Sequence, residues 1–317
     1  MKAIVTGAAG FIGHTLVKRL LDEGYDVVGV DCFTDYYNTD IKRRNIDTII
    51  DKNNKFNLVE ADLRTVDLGA LLSDAEVIFH QSGQPGVRKS WGNDFLHYTE
   101  MNINATQRLL EAARAAKNLK RLVYASSSSV YGDAETYPTK ETDLPRPVSP
   151  YGVSKLAAEH LCSLYAKNFG IPITSLRYFT VYGPSQRPDM AFTRFLRAAI
   201  DRSTISIFGD GTQVRDFTYV DDIVNANLMC SQSAEAPGSI YNVAGGSNAS
   251  VNDVLKVIEE ITGSPLNVEY VTSVVGDVKR TGGDITSISS SVGWEPNVNL
   301  RSGLERHWEW AQSVYRS

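Results

Sequence analysis

The sequence predicts an α/β protein in which a doubly wound parallel sheet is followed by a smaller α+β domain. Three observations support this prediction. Short β-branched runs alternate with helical stretches, a glycine-rich turn joins the first strand to the first helix, and the pattern changes after Phe179. Such alternation places helices on both faces of a sheet, so the strands are expected to be parallel and buried.

Six short runs in the first part of the chain are predicted strands. They are AIVTG, DVVGVD, FNLVEAD, AEVIFHQ, RLVYASS and ITSLRYF, at residues 3–7, 26–31, 56–62, 75–81, 121–127 and 173–179. The first two flank GHTLVKRLLDEG, whose apolar residues recur at helical spacing. A proline-rich loop over 136–150 leads into a helix that is expected to start near Pro150. We assign residues 1–179 to the first domain.

The second domain is assigned to residues 180–317. Its predicted strands lie at 205–209, 216–220, 239–245 and 266–271, and its predicted helices at 191–202 and 251–263. This mixture is typical of an α+β unit that binds a substrate beside a cofactor domain. Some of its segments are expected to return to the first domain.

The composition excludes several classes of partner. A net charge of −5 over 317 residues does not suggest a nucleic-acid or anionic-membrane partner. The N-terminus lacks the pattern of a signal peptide, and no run is long enough to span a bilayer. Cys32, Cys162 and Cys230 are widely spaced and form no metal-ligand pattern, so we expect free thiols, no bound metal and a cytoplasmic location.

A dinucleotide-binding turn follows the first predicted strand. Gly7, Gly10 and Gly13 have the spacing G-x-x-G-x-x-G and open the first helix, which is the Rossmann-type arrangement for holding a pyrophosphate. Asp31 ends the second strand, where a carboxylate binds the adenosine ribose and disfavours a 2′-phosphate. The sequence therefore predicts NAD rather than NADP, although Arg43 and Arg44 nearby weaken that preference. Asp62 either contacts the adenine amino group or caps a following helix.

A candidate catalytic pair lies in SPYGVSK. Tyr151 and Lys155 are four residues apart, so on a helix they share one face. A tyrosine hydroxyl has a reference pKa of about 10, and a nearby ammonium together with the positive nicotinamide ring is expected to lower it. Tyr151 is therefore a candidate general base for a sugar hydroxyl, with Lys155 supporting it.

These motifs, with SSSSVYGD at 126–133 and RYFTVYGP at 177–184, resemble the extended short-chain dehydrogenase/reductase family. Within it, the chain looks most like nucleotide-sugar 4-epimerases, and most like those that act on UDP-glucuronate. The resemblance covers essentially the whole chain. It implies tightly bound NAD, a UDP-sugar substrate and a homodimer formed through the 93–117 stretch and the Tyr151 helix.

The resemblance also implies roles for single residues. Ser127 matches the catalytic hydroxyl, Asn102 an asparagine near the nicotinamide, and Tyr178 a position where the backbone touches the cofactor amide. Gln81 is a further predicted contact, in a segment where HQSG departs from the common H-x-A-A. The complete predicted cofactor site is Gly7, Gly10, Phe11, Ile12, Gly13, Asp31, Asp62, Leu63, Gln81, Asn102, Tyr151, Lys155 and Tyr178.

The serine run indicates which sugar the site accepts. The related 4,6-dehydratases have Asp-Glu where this chain has Ser128-Ser129, and UDP-glucuronate decarboxylases have Glu at the second position. Neutral hydroxyls cannot act as acids or bases near pH 7, but they can donate hydrogen bonds to a carboxylate. Thr180 replaces the asparagine that is common in UDP-glucose 4-epimerases, and Arg187 offers a planar fork for a carboxylate. The alternative for Arg187 is a surface ion pair.

Other segments resemble the nucleotide site of the family. Arg88 and Arg215 are expected near the phosphates, Phe208 beside the uracil and Asp277 at the uridine ribose. Phe192, in the MAFTRFL segment, is a further predicted substrate contact. Val274 stands where many relatives have an arginine, which leaves one phosphate contact unassigned.

The predicted reaction converts UDP-glucuronate to UDP-galacturonate, through transient oxidation at C4, rotation of the 4-keto sugar and re-reduction. An epimerase for UDP-glucose or UDP-N-acetylglucosamine is the main alternative. A UDP-glucuronate decarboxylase and an inactive NAD-binding regulator are further alternatives.

Overall fold

The computed structural model describes residues 1–50, 54–272, 276 and 278–316. The strands in these residues are β1 (Lys2–Thr6), β2 (Asp26–Asp31), β3 (Phe56–Glu60), β4 (Val77–His80), β5 (Arg121–Ser127), β6 (Ile173–Tyr178), β7 (Thr180–Tyr182), β8 (Ile205–Phe208), β9 (Val214–Tyr219), β10 (Ile240–Val243), β11 (Ser247–Ser250) and β12 (Val268–Val271). Seven of them form the central sheet in the order β10-β6-β5-β4-β1-β2-β3. Every pairing in this sheet is parallel.

Helices cover the sheet on both faces. They are α1 (Phe11–Asp22), α2 (Thr39–Ile50), α3 (Leu68–Leu72), α4 (Phe95–Tyr98), α5 (Ala105–Ala113), α6 (Pro150–Phe169), α7 (Ala191–Asp201), α8 (Val220–Gln232), α9 (Val251–Thr262), α10 (Thr286–Val292) and α11 (Leu300–Tyr315). A π-helical segment, Thr99–Asn104, joins α4 to α5, and the order and parallel pairing of the strands confirm the predicted fold class.

Alternating side chains of the strands supply two hydrophobic clusters. Ala3 and Val5 of β1 belong to the cluster that includes α1 and α8, whereas Ile4 belongs to the cluster that includes α3, α5 and α6. This period of two follows from the pleat of a strand. It explains why the strands of this sheet read as nearly continuous apolar runs.

The C-terminal part of the chain contributes to both regions of the molecule. β7, β9 and β11 form a three-stranded sheet, and β8 pairs with β12. In contrast, β10 pairs with β6 at the edge of the central sheet, and α8 packs against α1. None of the helices in the described residues is long and apolar enough to cross a membrane.

Helix α6 has a well-defined start that places its first turn. The Ser149 hydroxyl accepts a hydrogen bond from the Gly152 N–H at 3.1 Å, and Pro150 occupies the first helical position. Both features are typical of helix N-termini, because the early N–H groups lack partners inside the helix. The side chains of Tyr151 and Lys155 therefore project from the same face of the first turns of α6.

Candidate active site

A cavity lies at the carboxyl ends of the strands of the central sheet. Because the strands are parallel, the segments that follow β1, β2, β4 and β5 all meet on this side, which is where open α/β sheets bind ligands. Twelve of the thirteen predicted cofactor residues line this cavity, which we call the cofactor cavity: Gly7, Gly10, Phe11, Ile12, Gly13, Asp31, Asp62, Leu63, Gln81, Tyr151, Lys155 and Tyr178.

The glycine turn brings backbone close to backbone. Gly7 has a φ of +70°, and a Cβ on it would come within 2.9 Å of the Ser82 backbone. A Cβ on Gly13 would collide with the Gly7 carbonyl oxygen, so helix α1 can sit this close to β1 only with glycine there. The free N–H groups at the start of α1 thus face the cavity, in the manner that suits a pyrophosphate.

Asp31 is held in place at the end of β2. Its Oδ2 accepts a hydrogen bond from the Ala9 N–H at 3.0 Å, and its Oδ1 accepts one from the Phe33 N–H at 2.8 Å. Arg43, which the sequence places near this site, instead forms a two-point pair with Glu60 at 2.7 and 2.6 Å. A fixed carboxylate with Arg43 engaged elsewhere fits the ribose diol of NAD better than a 2′-phosphate.

Asp62 does not cap a helix. Asp67 is the N-cap residue of α3, and its side chain accepts a hydrogen bond from the Ala70 N–H. Asp62 instead receives the Arg64 backbone N–H at 2.8 Å and pairs with the Arg64 guanidinium. The capping alternative is therefore wrong, and Asp62 and Leu63 both line the cofactor cavity.

Gln81 and Tyr178 belong to one hydrogen-bonded group. The Tyr178 hydroxyl donates to Gln81 Oε1 at 3.0 Å, and Gln81 Nε2 donates to Asn227 Oδ1 at 2.8 Å. These contacts join the segments after β4 and β6 to helix α8. They fix the wall of the cavity on the side where Tyr151 lies.

Asn102 is buried directly behind residues that line the cofactor cavity. It is the one predicted cofactor residue that is not among those lining the cavity, and it is only 2% exposed. Its Oδ1 accepts from the Gln84 N–H at 2.6 Å, and its Nδ2 donates to the Ser154 hydroxyl at 2.9 Å. Asn102 thus positions the segment after β4 against helix α6, because the π-helical turn aims its amide there.

Tyr151 and Lys155 stand side by side in the cofactor cavity. Burial raises the pKa of the Tyr151 hydroxyl, while a hydrogen bond with Ser127 and the charge of Arg187 lower it. Burial lowers the pKa of Lys155 to about 8, and its Nζ lies 4.7 Å from the centre of the Tyr124 ring. The lowered tyrosine pKa expected from the sequence is thus not produced by the protein groups alone. The remaining contribution is the positive nicotinamide ring, which would come with the cofactor.

The four serines of the run face different surroundings. Ser126 lines the cofactor cavity, and its hydroxyl donates to Glu159 at 2.6 Å. Ser127 accepts a hydrogen bond from the Ser129 N–H at 3.1 Å, which starts a 3₁₀ turn over 128–130. Ser128 and Ser129 line a second cavity. The run is therefore an ordered turn, not a flexible linker.

The second cavity brings together five predicted substrate residues from distant parts of the chain. Arg88 follows β4, Thr180 begins β7 and Arg215 lies on β9. The five are Arg88, Ser128, Ser129, Thr180 and Arg215. The guanidinium of Arg88 also lies 4.0 Å from the centre of the Phe208 ring, so Phe208 adjoins this cavity through Arg88.

Arg187 lies apart from the serines with which it was predicted to act. It lines the cofactor cavity and forms a two-point pair with Asp189 at 3.0 and 2.9 Å, which is the ion-pair alternative. Its side chain is 18% exposed, and its charge reaches Tyr151. The guanidinium therefore lies within electrostatic reach of the Tyr151 hydroxyl, although its fork is occupied by Asp189.

The substrate role predicted for Phe192 is wrong. Its side chain is 2% exposed and packs against Tyr182 and Phe217, with ring centres 5.2 and 4.7 Å away. The amphipathic spacing of α7 turns this ring into the core. The predicted ribose contact Asp277, like Val274, lies outside the described residues.

Several residues that line the cofactor cavity were given no role in the sequence analysis. Tyr36, Tyr37 and Lys42 line the cofactor cavity, and the Arg187 guanidinium lies 5.7 Å from the centre of the Tyr36 ring. The run of aromatic and basic residues directly after Asp31 is the signal that could have identified them. Outside these cavities, no cluster of three or more metal-ligating side chains occurs in the described ranges.

Comparisons with known proteins agree with this geometry. The model of the family described as "NAD dependent epimerase/dehydratase family" matches residues 3–244. A solved UDP-glucuronic acid 4-epimerase from Bacillus cereus, in complex with UDP-glucuronic acid and NAD, is 43% identical with a TM-score of 0.96, covering 99% of this chain and 100% of that one. These matches confirm the resemblance to NAD-dependent nucleotide-sugar epimerases.

Two curated relatives match this chain over nearly their whole length. The "Uncharacterized UDP-glucose epimerase YtcB" of Bacillus subtilis (strain 168) is 41% identical, over 100% of this chain and 99% of that protein. The UDP-glucuronate 4-epimerase of Thermodesulfobacterium geofontis (strain OPF15) is 35% identical, over 98% of this chain and 95% of that protein. The chain belongs to the NAD dependent epimerase/dehydratase family.

Proposed function

We propose that this protein is an isomerase that interconverts UDP-glucuronate and UDP-galacturonate with NAD as cofactor. The observation that carries the proposal is that the serine run reaches two cavities, because Ser126 lines one of them and Ser128 and Ser129 line the other. One cavity holds Tyr151 and Lys155 among residues that fit NAD, and the other is lined by hydroxyls and two arginines. The B. cereus epimerase that is 43% identical to this chain binds UDP-glucuronic acid and NAD.

The residues suggest how the reaction proceeds. Tyr151, as a phenolate stabilised by the Lys155 ammonium, takes the proton of the sugar 4-hydroxyl and becomes neutral, with Ser127 bridging the two oxygens. Bound NAD supplies the hydride acceptor for C4 and the donor for its return. The second cavity anchors the nucleotide, so that the hexose can turn over and expose its other face.

The composition of the second cavity favours epimerisation over decarboxylation or dehydration. Its described lining includes Ser128, Ser129 and Thr180 but no carboxylate that could act as an acid or base. A 4-keto uronic acid is a β-keto acid, which loses CO2 when its carboxylate bond aligns with the carbonyl π system. Hydroxyl donors that hold the carboxylate out of this alignment therefore protect the intermediate. Arg187 faces the same sugar from the cofactor side.

A neutral UDP-hexose is the second candidate substrate. It is favoured by the name of the B. subtilis relative, a UDP-glucose epimerase at 41% identity. The hydroxyls of Ser128, Ser129 and Thr180 in the second cavity favour a sugar with a carboxylate instead.

A single assay tests the proposed function. The purified protein is incubated with NAD and, separately, UDP-glucuronate, UDP-glucose and UDP-N-acetylglucosamine, and the products are identified by NMR. We expect UDP-galacturonate from the first substrate and much slower conversion of the others. A decarboxylated pentose, or conversion of a neutral sugar alone, would contradict the proposal.

We also propose a cytoplasmic homodimer. Leu96 of α4 and Val153 and Leu164 of α6 are 65, 45 and 53% exposed, which is typical of helix faces that are covered by a second copy. Cys32, Cys162 and Cys230 are free thiols, as in reducing compartments. Light scattering after size exclusion is expected to give twice the chain mass, and Leu164→Glu should shift it toward the monomer.

A further inference from the structure

A buried ion pair lies directly behind the catalytic tyrosine and lysine. Glu159 follows Tyr151 and Lys155 on helix α6 at successive steps of four residues, so the three share one face. Glu159 is 1% and Arg177 is 3% exposed. Arg177 donates from Nη2 to Glu159 Oε1 at 2.6 Å and from Nε to Oε2 at 3.0 Å, which is a two-point pair between β6 and α6.

This pair is connected to the active site by hydrogen bonds. Ser126, which lines the cofactor cavity and precedes Ser127, donates to Glu159 Oε2 at 2.6 Å. Ser126 and Arg177 are also paired across β5 and β6. Glu159 therefore holds the strand end that carries Ser127, as well as the helix that carries Tyr151.

Stability alone is a weak reason for such a pair. Desolvation of two buried charges offsets most of their attraction, and apolar replacements of similar volume are often as stable. Because Glu159 lies one helical turn beyond Lys155, its charge can act directly on the Lys155 ammonium.

We infer that Glu159, held by Arg177, is a positioning residue that keeps Lys155 cationic so that Tyr151 can act as the base. The inference rests on the proposed function, because it assigns a role in that reaction. Arg177 orients the Glu159 carboxylate. The negative charge of that carboxylate acts on Lys155, which lies one turn earlier on the same face of helix α6.

The other groups around Lys155 cannot replace this anion. Burial lowers the pKa of Lys155 to about 8, and Cys162 and Glu159 oppose that loss. Tyr124 of β5 presents its ring, and burial raises the pKa of its hydroxyl well above 10. Burial also raises the pKa of the Cys162 thiol on α6, and it lowers that of His80 on β4 to about 3, so both are neutral near pH 7.

The test compares Glu159→Gln with a matched control. Glutamine keeps an acceptor for Ser126 and Arg177 but removes the charge. The control is Asp222→Asn, which neutralises another buried carboxylate (1% exposed) that caps the Asn297 and Val298 N–H groups in the C-terminal region. Two readouts are measured: the pH profile of kcat with UDP-glucuronate, and the titration of Lys155 by NMR in protein carrying 13C at lysine Cε, without substrate. The Lys155 signal is assigned by its loss in Lys155→Met.

The expected result is a lower titration midpoint for Lys155 in Glu159→Gln. The alkaline fall in kcat moves to lower pH by the same amount, and kcat at pH 8 drops by about tenfold or more with KM changed less than about threefold. Asp222→Asn leaves both readouts unchanged. An unchanged Lys155 midpoint in Glu159→Gln would overturn the inference, even if activity fell.

A second variant covers the case in which Glu159→Gln does not fold. Glu159→Met combined with Arg177→Met removes both buried charges together, a replacement that proteins tolerate better than half a pair. The inference again requires a lowered Lys155 midpoint, and an unchanged one contradicts it. Because the NMR titration needs no substrate, its outcome is separate from the failure of the parent protein to convert UDP-glucuronate, which would count against the proposed function.

Discussion

Tyr151 illustrates how a buried tyrosine can be prepared for proton transfer. Removal from water raises its pKa, and the protein opposes this with a hydrogen bond from Ser127 and the charge of Arg187. Lys155 stands on the same helix face, but burial brings its pKa to about 8, so it loses its positive charge more readily than an exposed lysine. The residue becomes an effective base only when these contributions act together with the cofactor charge.

Replacement of Tyr151 by phenylalanine tests this role. We expect kcat for UDP-glucuronate to fall by about 100- to 10,000-fold, which is the usual contribution of a general base. NAD affinity, measured by fluorescence titration, should change little, because the ring remains in the cavity wall. Interconversion of the sugars at the parent rate would exclude Tyr151 as the base.

Arg187 offers a second test at the scale of one residue. Because the charged Arg187 lines the same cavity as Tyr151, Arg187→Ala should raise KM for UDP-glucuronate by about tenfold or more, as expected when a charged hydrogen bond is lost. The fraction of decarboxylated product should also rise, since the carboxylate is held less firmly. NMR of the product mixture measures both.

The control for Arg187 is its partner in the ion pair. Asp189→Asn leaves the guanidinium in place and frees its fork, so binding of the uronic acid should not weaken. Equal kinetics for parent and Arg187→Ala would remove Arg187 from the carboxylate site and leave the hydroxyls alone.

At the scale of elements, strand β9 carries neighbouring residues to opposite sides. Arg215 faces the second cavity, while Asp216 is 1% exposed and its Oδ1 has no hydrogen-bond partner. Burial raises the pKa of Asp216 from an ordinary 3.8 to about 6. The folded protein thus holds this proton up to a pH at which the unfolded chain has released it.

Asp216 therefore makes the fold less stable as pH rises. Between pH 3.8 and about 6 the native state binds more protons than the unfolded state, so the free energy of unfolding falls by about 3 kcal/mol through this group. Asp216→Asn keeps the shape and an acceptor for the Gly283 N–H. Urea unfolding at pH 4 and pH 7 should show a smaller loss in the variant than in the parent, and equal losses would contradict this explanation.

The strands and helices also show which parts of the fold can be predicted from sequence patterns. The strands of the central sheet were predictable because apolar runs of five or six residues are typical of buried parallel strands. β7 and β11 were missed, since three residues or a polar SNAS carry no such pattern and depend on pairing with β9. Phe192 was assigned to the substrate from a motif, whereas its spacing from Phe195 and Leu196 on α7 indicates the core.

The site was partly predictable for a related reason. The glycine turn and the Tyr151–Lys155 pair are local patterns, and their spacing determines their geometry. Asn102 and the Glu159–Arg177 pair depend on contacts between separate elements of the chain. The partner that each of these side chains selects is decided by tertiary packing, which the spacing of residues does not specify.

At the scale of the whole molecule, cofactor binding should stabilise the fold. NAD in the cofactor cavity would contact the segments that follow several strands, so at about 100 times its Kd it should add about 2.7 kcal/mol to the free energy of unfolding. A chain of this size is then expected to melt a few degrees higher. NADP should produce a smaller shift, because Asp31 faces the ribose and Arg43 is paired with Glu60. Differential scanning fluorimetry compares the two, and equal shifts would contradict the assigned preference.

The pairing of β10 with β6 has a consequence for synthesis on the ribosome. The edge of the central sheet is completed only by residues 240–243, after most of the chain has been translated. Until then the nascent protein exposes an open strand edge, which invites association with other chains. A fragment that stops at residue 179 should accordingly aggregate, and translation pauses before β10 should increase its dependence on chaperones.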